Sequence, residues 1–235
     1  RHVGKSELSY SEHSKYRGVD GVIVACVDFE AEEVKELLQS GIPVVTIDYI
    51  FNDKACVMSD NIRGMEQLVS YIIQCGHKKI AYIHGADSFV TRSRIGSFLR
   101  TMKRYGIETE DRYIREGIYH APDVSAKITH ELLSLEDRPT CIVYPDDFSC
   151  IGGINVIRSK GLTIPNDISV AGYDGQRIAR VIEPKITTYR QNTEQIGRVA
   201  ATKLVELIEQ PELALVERLD VQGELIRGCS VLSMK

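Results

Sequence analysis

The chain carries one structural plan twice within 235 residues, and that repeat constrains its fold more than any other feature. Residues 22–49 read VIVACVDFEAEEVKELLQSGIPVVTIDY, and residues 141–174 read CIVYPDDFSCIGGINVIRSKGLTIPNDISVAGYD. Each begins with an apolar run leading to Asp-Phe (Asp28 and Phe29, Asp147 and Phe148). A helical stretch, a glycine and an Ile-Pro step follow, and an apolar run closes on Asp48 or Asp174. Strand, helix and strand in this order make a parallel βαβ unit. The plan occurs only twice, which argues for two similar open α/β lobes and against a solenoid. Ligands of such sheets sit beyond the carboxyl ends of the strands, where both aspartates fall. Two lobes facing one another would present Asp48 and Asp174 to one shared cleft.

The same alternation runs through the whole chain. Nearly continuous apolar runs predict strands at 19–26, 44–48, 80–84, 140–144 and 168–173, and such runs suit strands buried on both faces. Between them, Ile62, Met65, Val69 and Ile72 recur at helical spacing, as do Val124, Ile128, Leu132 and Leu135. Ile196, Ala200, Leu204 and Leu207 form a third stripe. Gly41, Gly76, Gly106 and Gly161 each follow a helical stretch, where a left-handed cap favours glycine.

Composition removes several function classes. A formal net charge of −4, with no basic run longer than a pair such as Lys78-Lys79, argues against a nucleic-acid-binding surface within the sequence. No apolar run reaches the roughly 18 residues needed to span a membrane. The six cysteines form no C-x-x-C pair, and Cys26, Cys56 and Cys141 lie in apolar runs, where a thiol behaves as a small buried hydrophobe. Dispersed thiols fit a reducing cytoplasm. The six histidines have no metal-ligand spacing, there is no nucleophile elbow, and no cofactor motif is present. Asp146 and Asp147 are a carboxylate pair, but adjacent residues do not make an opposed acid and base. No enzymatic activity is expected.

Read together, nine stretches resemble the lactose- and galactose-repressor family of bacterial transcription factors. They are GVDGVIVA (18–25), SGIPVVTID (40–48), SDNIRG (59–64), CGHKKIAYIHG (75–85), R-x-x-x-F (94–98), EGIY (116–119), DDFSCIGG (146–153), GLTIPNDISVAGYD (161–174) and ITTYRQNTEQIGRVAA (186–201). They cover almost the whole chain in the family's order. The resemblance implies an α/β fold of two Rossmann-like lobes with parallel sheets, of the periplasmic binding protein-like I type, with a ligand cleft between them. Residues 1–85 and 189–211 are expected in the first lobe, and 86–188 with 212–235 in the second. It also implies a first strand and a DNA-reading helix-turn-helix upstream, with roughly forty to fifty family residues before Gly18 lacking a counterpart here.

The function so implied is sensing of a small effector, a monosaccharide or derivative, by a cytoplasmic, homodimeric regulator that binds operator DNA through the upstream element. A periplasmic sugar-binding protein shares the fold and is the nearest rival, with a sugar-processing enzyme behind it. Arg94 matches the family's effector-binding arginine, whose planar fork can span two hydroxyls. As a cleft residue it is expected to contribute little to either core. Asp174 and Asp48 would accept from polyol hydroxyls. The helix running to Lys160 needs an N-terminal carboxylate; the cap is assigned to Asp147 and the ligand contact to Asp146, where many family members carry asparagine. Tyr119 matches a cleft aromatic, whereas Phe148 fits a core position as well as a site wall. Gln191 and Tyr49 complete the ligand set, each with a plain surface role as its alternative. Ile151 and Ile182 match positions of the family's dimer contact.

Overall fold

Both copies of the repeat fold as strand, helix and parallel strand, one in each of two units. The structure, a computed structural model, describes residues 2–3, 6–51 and 53–234. One unit takes residues 1–59 and 192–221, the other 60–191 and 222–235. In the first, a hairpin of β1 (His2–Val3) and β2 (Ser6–Glu7) precedes α1 (Tyr10–Arg17). Ser9 and Glu12 cap the start of α1 reciprocally. The first repeat copy is β3 (Val22–Val24), α2 (Glu32–Gln39) and β4 (Val44–Ile47), and β5 (Ala55–Ser59) follows.

The second unit then runs α3 (Asn61–Gln74), β6 (Ile80–His84), α4 (Phe89–Arg104), β7 (Ile114–Glu116) and α5 (Pro122–Leu133). It continues through β8 (Cys141–Val143), α6 (Asp147–Ser159), β9 (Ser169–Asp174), α7 (Arg177–Val181) and β10 (Thr187–Arg190). The chain returns to the first unit as α8 (Thr193–Glu209) and β11 (Arg218–Val221), and ends in the second with β12 (Glu224–Ile226).

Each of the two larger sheets is covered on both faces. In the first unit the order is β11-β5-β4-β3, all parallel. Ile196 and Ala200 of α8 meet Val45, Ala55 and Val57 on one face, while Val34, Leu37 and Leu38 of α2 meet Val24 and Val44 on the other. In the second the order is β12-β10-β9-β8-β6-β7, with only β12 antiparallel. Side chains alternate along each strand. Ile80 and Tyr82 therefore join Met65, Leu68, Val69, Ile72 and Phe98 beneath α3 and α4. Ala81 and Ile83 join Leu132, Ile154 and Ile157 beneath α5 and α6. Gly152 lets α6 lie against the first turn of α5, because a Cβ there would overlap the Pro122 carbonyl.

Three expectations change. The units divide after Ser59 and not after residue 85, and they exchange chain near residues 191 and 221. The apolar stripe of α3 and the strand β6 find their partners in the second sheet, a choice that periodicity does not encode. The expected strand 19–26 shortens to Val22–Val24, which leaves Cys26 exposed beyond the strand end, whereas Cys56 and Cys141 are buried as anticipated. The fully buried β5, sequence ACVMS, was not expected as a strand. It has only one β-branched residue and is held by parallel pairing on both sides.

His77 ties the C-terminal segment to this core. Its ring is buried, with Nε2 3.1 Å from the Leu232 carbonyl and Nδ1 2.9 Å from the Thr140 hydroxyl. A carbonyl only accepts, so Nε2 carries the proton. Burial pushes the ring's pKa down, partly opposed by the Leu232 bond. The folded state thus disfavours the second proton, and the stability His77 supplies is full above its ordinary pKa of about 6.5 and is lost as pH falls through the lowered folded value. His77→Phe is expected to cost roughly 1–3 kcal/mol near pH 8, since it leaves the Leu232 carbonyl without its donor. Urea denaturation should show the gap between parent and variant closing as pH drops below about 6. A pH-independent gap would refute this account.

Candidate functional site

The carboxyl ends of the second unit's parallel strands gather a guanidinium, three carboxylates and two aromatic rings. Ser88 caps α4 by accepting from the Thr91 N–H, which sets the phase of the helix and turns Arg94 inward. Arg94 is 3% exposed and sits in the second turn of α4, not at its start. Its Nε donates to Asn61 Oδ1 at 2.8 Å and one terminal nitrogen donates to the Pro145 carbonyl at 3.2 Å. The guanidinium carbon lies 3.7 Å from the Tyr173 ring centre and 5.8 Å from that of Tyr119. The other terminal nitrogen is 3.9 Å from Asp174 Oδ1. Burial opposes the Arg94 charge, but Tyr173, Tyr119 and Asp174 outweigh it, and its pKa stays above the ordinary arginine value. An arginine so enclosed is part of the unit's interior, which corrects the expectation that it matters little to the core.

Asp174 ends β9 with a positive φ of 93°, a backbone state that non-glycine residues rarely adopt. The Gln191 side chain donates to its Oδ1 at 2.5 Å, and the Gln191 N–H donates to its carbonyl at 3.2 Å. Burial raises the Asp174 pKa, opposed by Arg94 and Gln191. Tyr119, partly buried, places its hydroxyl 2.9 Å from Thr91 Oγ1, which itself donates to the Ala86 carbonyl. The structure therefore brings Arg94, Tyr119, Asp146, Asp174 and Gln191 together. Phe148 is 43% exposed, which excludes the core position that the sequence left open.

Of the two adjacent carboxylates, the helix cap falls to the one expected to touch the ligand. Asp146, not Asp147, is the N-cap of α6: its Oδ1 accepts from the Ser149 N–H at 2.9 Å and its Oδ2 from the Ser149 hydroxyl at 2.8 Å. Asp147 is the first helical residue and turns into the interior, where Oδ2 accepts from the Gln176 N–H at 2.6 Å. Its Oδ1 has no hydrogen-bond partner among the described residues and lies over Gly172, where any Cβ would overlap it.

Two remaining candidates belong to the first unit. Asp48 follows β4 at φ 60°, and its Oδ1 accepts from the Ser59 N–H at 3.4 Å. Tyr49 is stacked on Phe29 with ring centres 4.2 Å apart and donates to Glu30 at 3.0 Å. The positive-φ non-glycine residues among those described are Cys26, Asp48, His120 and Asp174, and each follows or ends a parallel strand. Strained residues of this kind concentrate at functional sites. His120 and Asn61 were not singled out from the sequence. No residue pattern signals the backbone angle of the first, and the second reads as an ordinary helix start.

The domain model of the periplasmic binding protein-like family matches residues 69–231. The chain belongs to that family. It is 30% identical over 91% of its length to the HTH-type transcriptional repressor PurR of Mannheimia succiniciproducens and spans 64% of that relative. The structure of a regulatory protein of the LacI family from Chloroflexus aggregans is 30% identical, with a TM-score of 0.80 over 94% of this chain and 82% of that one. A complex of the transcriptional regulator CelR with cellobiose is 26% identical, with a TM-score of 0.82 over 94% and 71% of the two chains. These relatives are named as regulators and not as enzymes. The chain spans about two thirds of the curated relatives it matches, or slightly less. No helix among the described residues is long and apolar enough to cross a membrane, and none of their His, Cys, Asp and Glu side chains cluster as a metal site.

Within this periplasmic binding protein-like domain, Asp147 is a carboxyl held well away from its ordinary state. Burial pushes its pKa to about 7, against hydrogen bonds from Thr188 and Gln176 and with help from the nearby Asp174 and Asp146. The folded chain holds this proton more tightly than the unfolded chain. The stability it contributes is therefore full below the ordinary carboxyl pKa of about 3.9 and is lost as pH rises through about 7. Asp147→Asn keeps the shape without the titration. Relative to that variant, the parent is expected to lose on the order of 4 kcal/mol between about pH 4 and pH 8. Chemical denaturation of both proteins across that range checks it, and parallel pH profiles would show that Asp147 stays ionised.

Proposed function

We propose that the chain is the effector-sensing part of a cytoplasmic, DNA-binding transcriptional regulator of the lactose-repressor family, and that its effector is a small, uncharged sugar. The observation that carries the reading is the buried Arg94 guanidinium beside Asp174. Two of its five N–H groups are used by Asn61 and Pro145, which leaves donors next to a carboxylate acceptor. A sugar hydroxyl both donates and accepts, so adjacent hydroxyls satisfy such a pair. The exposed ring of Phe148 and the partly buried ring of Tyr119 suit the C–H face of a pyranose or furanose. The cellobiose complex of a relative supports the ligand class. Effector binding would shift the regulator between states of different operator affinity. DNA contact is assigned to an upstream helix-turn-helix, an assignment supported by the name of the repressor relative and consistent with the net charge of −4 here. Six free cysteines fit the reducing cytoplasm.

A thermal-shift panel of pentoses, hexoses, cellobiose, hexose phosphates and purine bases tests the ligand class. Uncharged sugars are expected to raise the melting temperature, and stabilisation by phosphates or purines alone would overturn the sugar assignment. In calorimetry, Arg94→Lys keeps the charge but loses the planar fork, and its affinity should fall roughly tenfold. Unchanged affinity would place the effector elsewhere.

The regulator is further proposed to pair as a homodimer through Ile151 and Ile182, both only partly buried. Ile182→Asp should shift sedimentation toward monomer, because the contact would bury a charge without a partner. A parent protein already monomeric in the micromolar range would refute the pairing.

A further inference from the structure

Asp146 was expected to touch the effector, yet its oxygens are occupied from within. Oδ1 accepts from the Ser149 N–H, and Oδ2 accepts from the Ser149 hydroxyl and from the His120 N–H, the last at 2.8 Å. The His120 ring lies beyond, with Nδ1 3.6 Å from Oδ1. The carboxylate is completely buried, whereas the imidazole side chain is 61% exposed. His120 has a φ of 56°, and the Asp146 bond to its N–H holds it in that left-handed state. Its ring stands edge-on to Phe148 at 6.2 Å and 6.4 Å from Tyr119, so it shares their aromatic corner. Nε2 has no hydrogen-bond partner among the described residues.

We infer that His120 is an effector-contacting residue and that Asp146 is the positioning residue that sets its backbone and its tautomer. The inference rests on the sugar-sensing reading given above. A carboxylate facing Nδ1 keeps the ring proton on that nitrogen, which leaves the Nε2 lone pair pointing away from Asp146 as an acceptor. The group it reads is therefore a hydroxyl or N–H donor of the effector, and not a phosphate or carboxylate oxygen. In this arrangement the pair supplies one neutral acceptor beside the donors of Arg94, and it discriminates against anionic ligands.

The test uses two variants. His120→Asn keeps a residue that tolerates positive φ and keeps the N–H bonded to Asp146, but removes the ring. Asp146→Asn can keep the helix cap with its oxygen on the Ser149 N–H, but its amide nitrogen then faces the His120 N–H, so the bond that holds the left-handed backbone is lost together with the charge facing Nδ1. Nitrogen-15 NMR of the imidazole, at a pH where it is neutral, is expected to show an Nδ1–H tautomer in the parent and a weaker preference for that tautomer in Asp146→Asn, where no charge faces Nδ1. Titration with ribose, glucose, galactose and cellobiose is expected to shift the His120 resonances of the parent. Each variant should lose affinity for the bound sugar by roughly fivefold to tenfold, with little change in ligand-free melting of His120→Asn. Parental affinity in His120→Asn, with Arg94→Lys impaired, overturns this inference and leaves the sugar-sensing reading standing. An Nε2–H tautomer in the parent overturns the role of Asp146. If none of the four sugars binds the parent, both readings fall.

Discussion

A guanidinium removed from water is costly unless its charge and its N–H groups are met inside the protein, and Arg94 is met from several directions. Asn61 comes from the start of α3, the Pro145 carbonyl from the turn before α6, Tyr173 and Asp174 from the end of β9, and Tyr119 from the segment after β7. Each of these elements is drawn to one point of the second unit. An arginine can do this because its planar face stacks on an aromatic ring while its edge forms hydrogen bonds. The same enclosure keeps bulk water away from the guanidinium.

The acidic groups around that arginine are handled in three different ways. Asp174 stays beside the guanidinium and takes a hydrogen bond from Gln191. Asp146 is satisfied by the donors of a helix start and of His120. Asp147 has only one oxygen accepting a bond and retains its proton to about pH 7. Three ionised carboxylates around one buried cation would repel one another strongly at low dielectric. Separating their environments relieves that repulsion.

The first unit repeats the architecture by itself. Its parallel strands also end in strained residues, Cys26 after β3 and Asp48 after β4. Its sheet is likewise covered on both faces, by α2 and α8. The two copies of the repeat therefore agree in topology. They differ in chemistry, because Asp48 contacts the Ser59 N–H where Asp174 contacts a buried arginine. Family membership accounts for the shared scaffold, and the residues at the strand ends give each copy its own chemistry.

Strand, helix and strand were legible in the chain because burial on both faces demands continuous apolar runs, and helices lying on a sheet demand an apolar stripe. The family, Arg94 and Asp174 were legible because their motifs follow one another in order along the sequence. Membership of a unit was not legible: α3 and β6 join the second sheet through contacts with β8, β9 and α4, and local pattern holds no record of a distant partner. Nor was the division of labour between Asp146 and Asp147. Both are carboxylates at the start of one helix, and only the direction in which each side chain leaves the first turn separates a cap from a buried acid. His120 was invisible for the same reason, since its role depends on a backbone angle and on a carboxylate 26 residues away that only the folded chain brings within 2.8 Å.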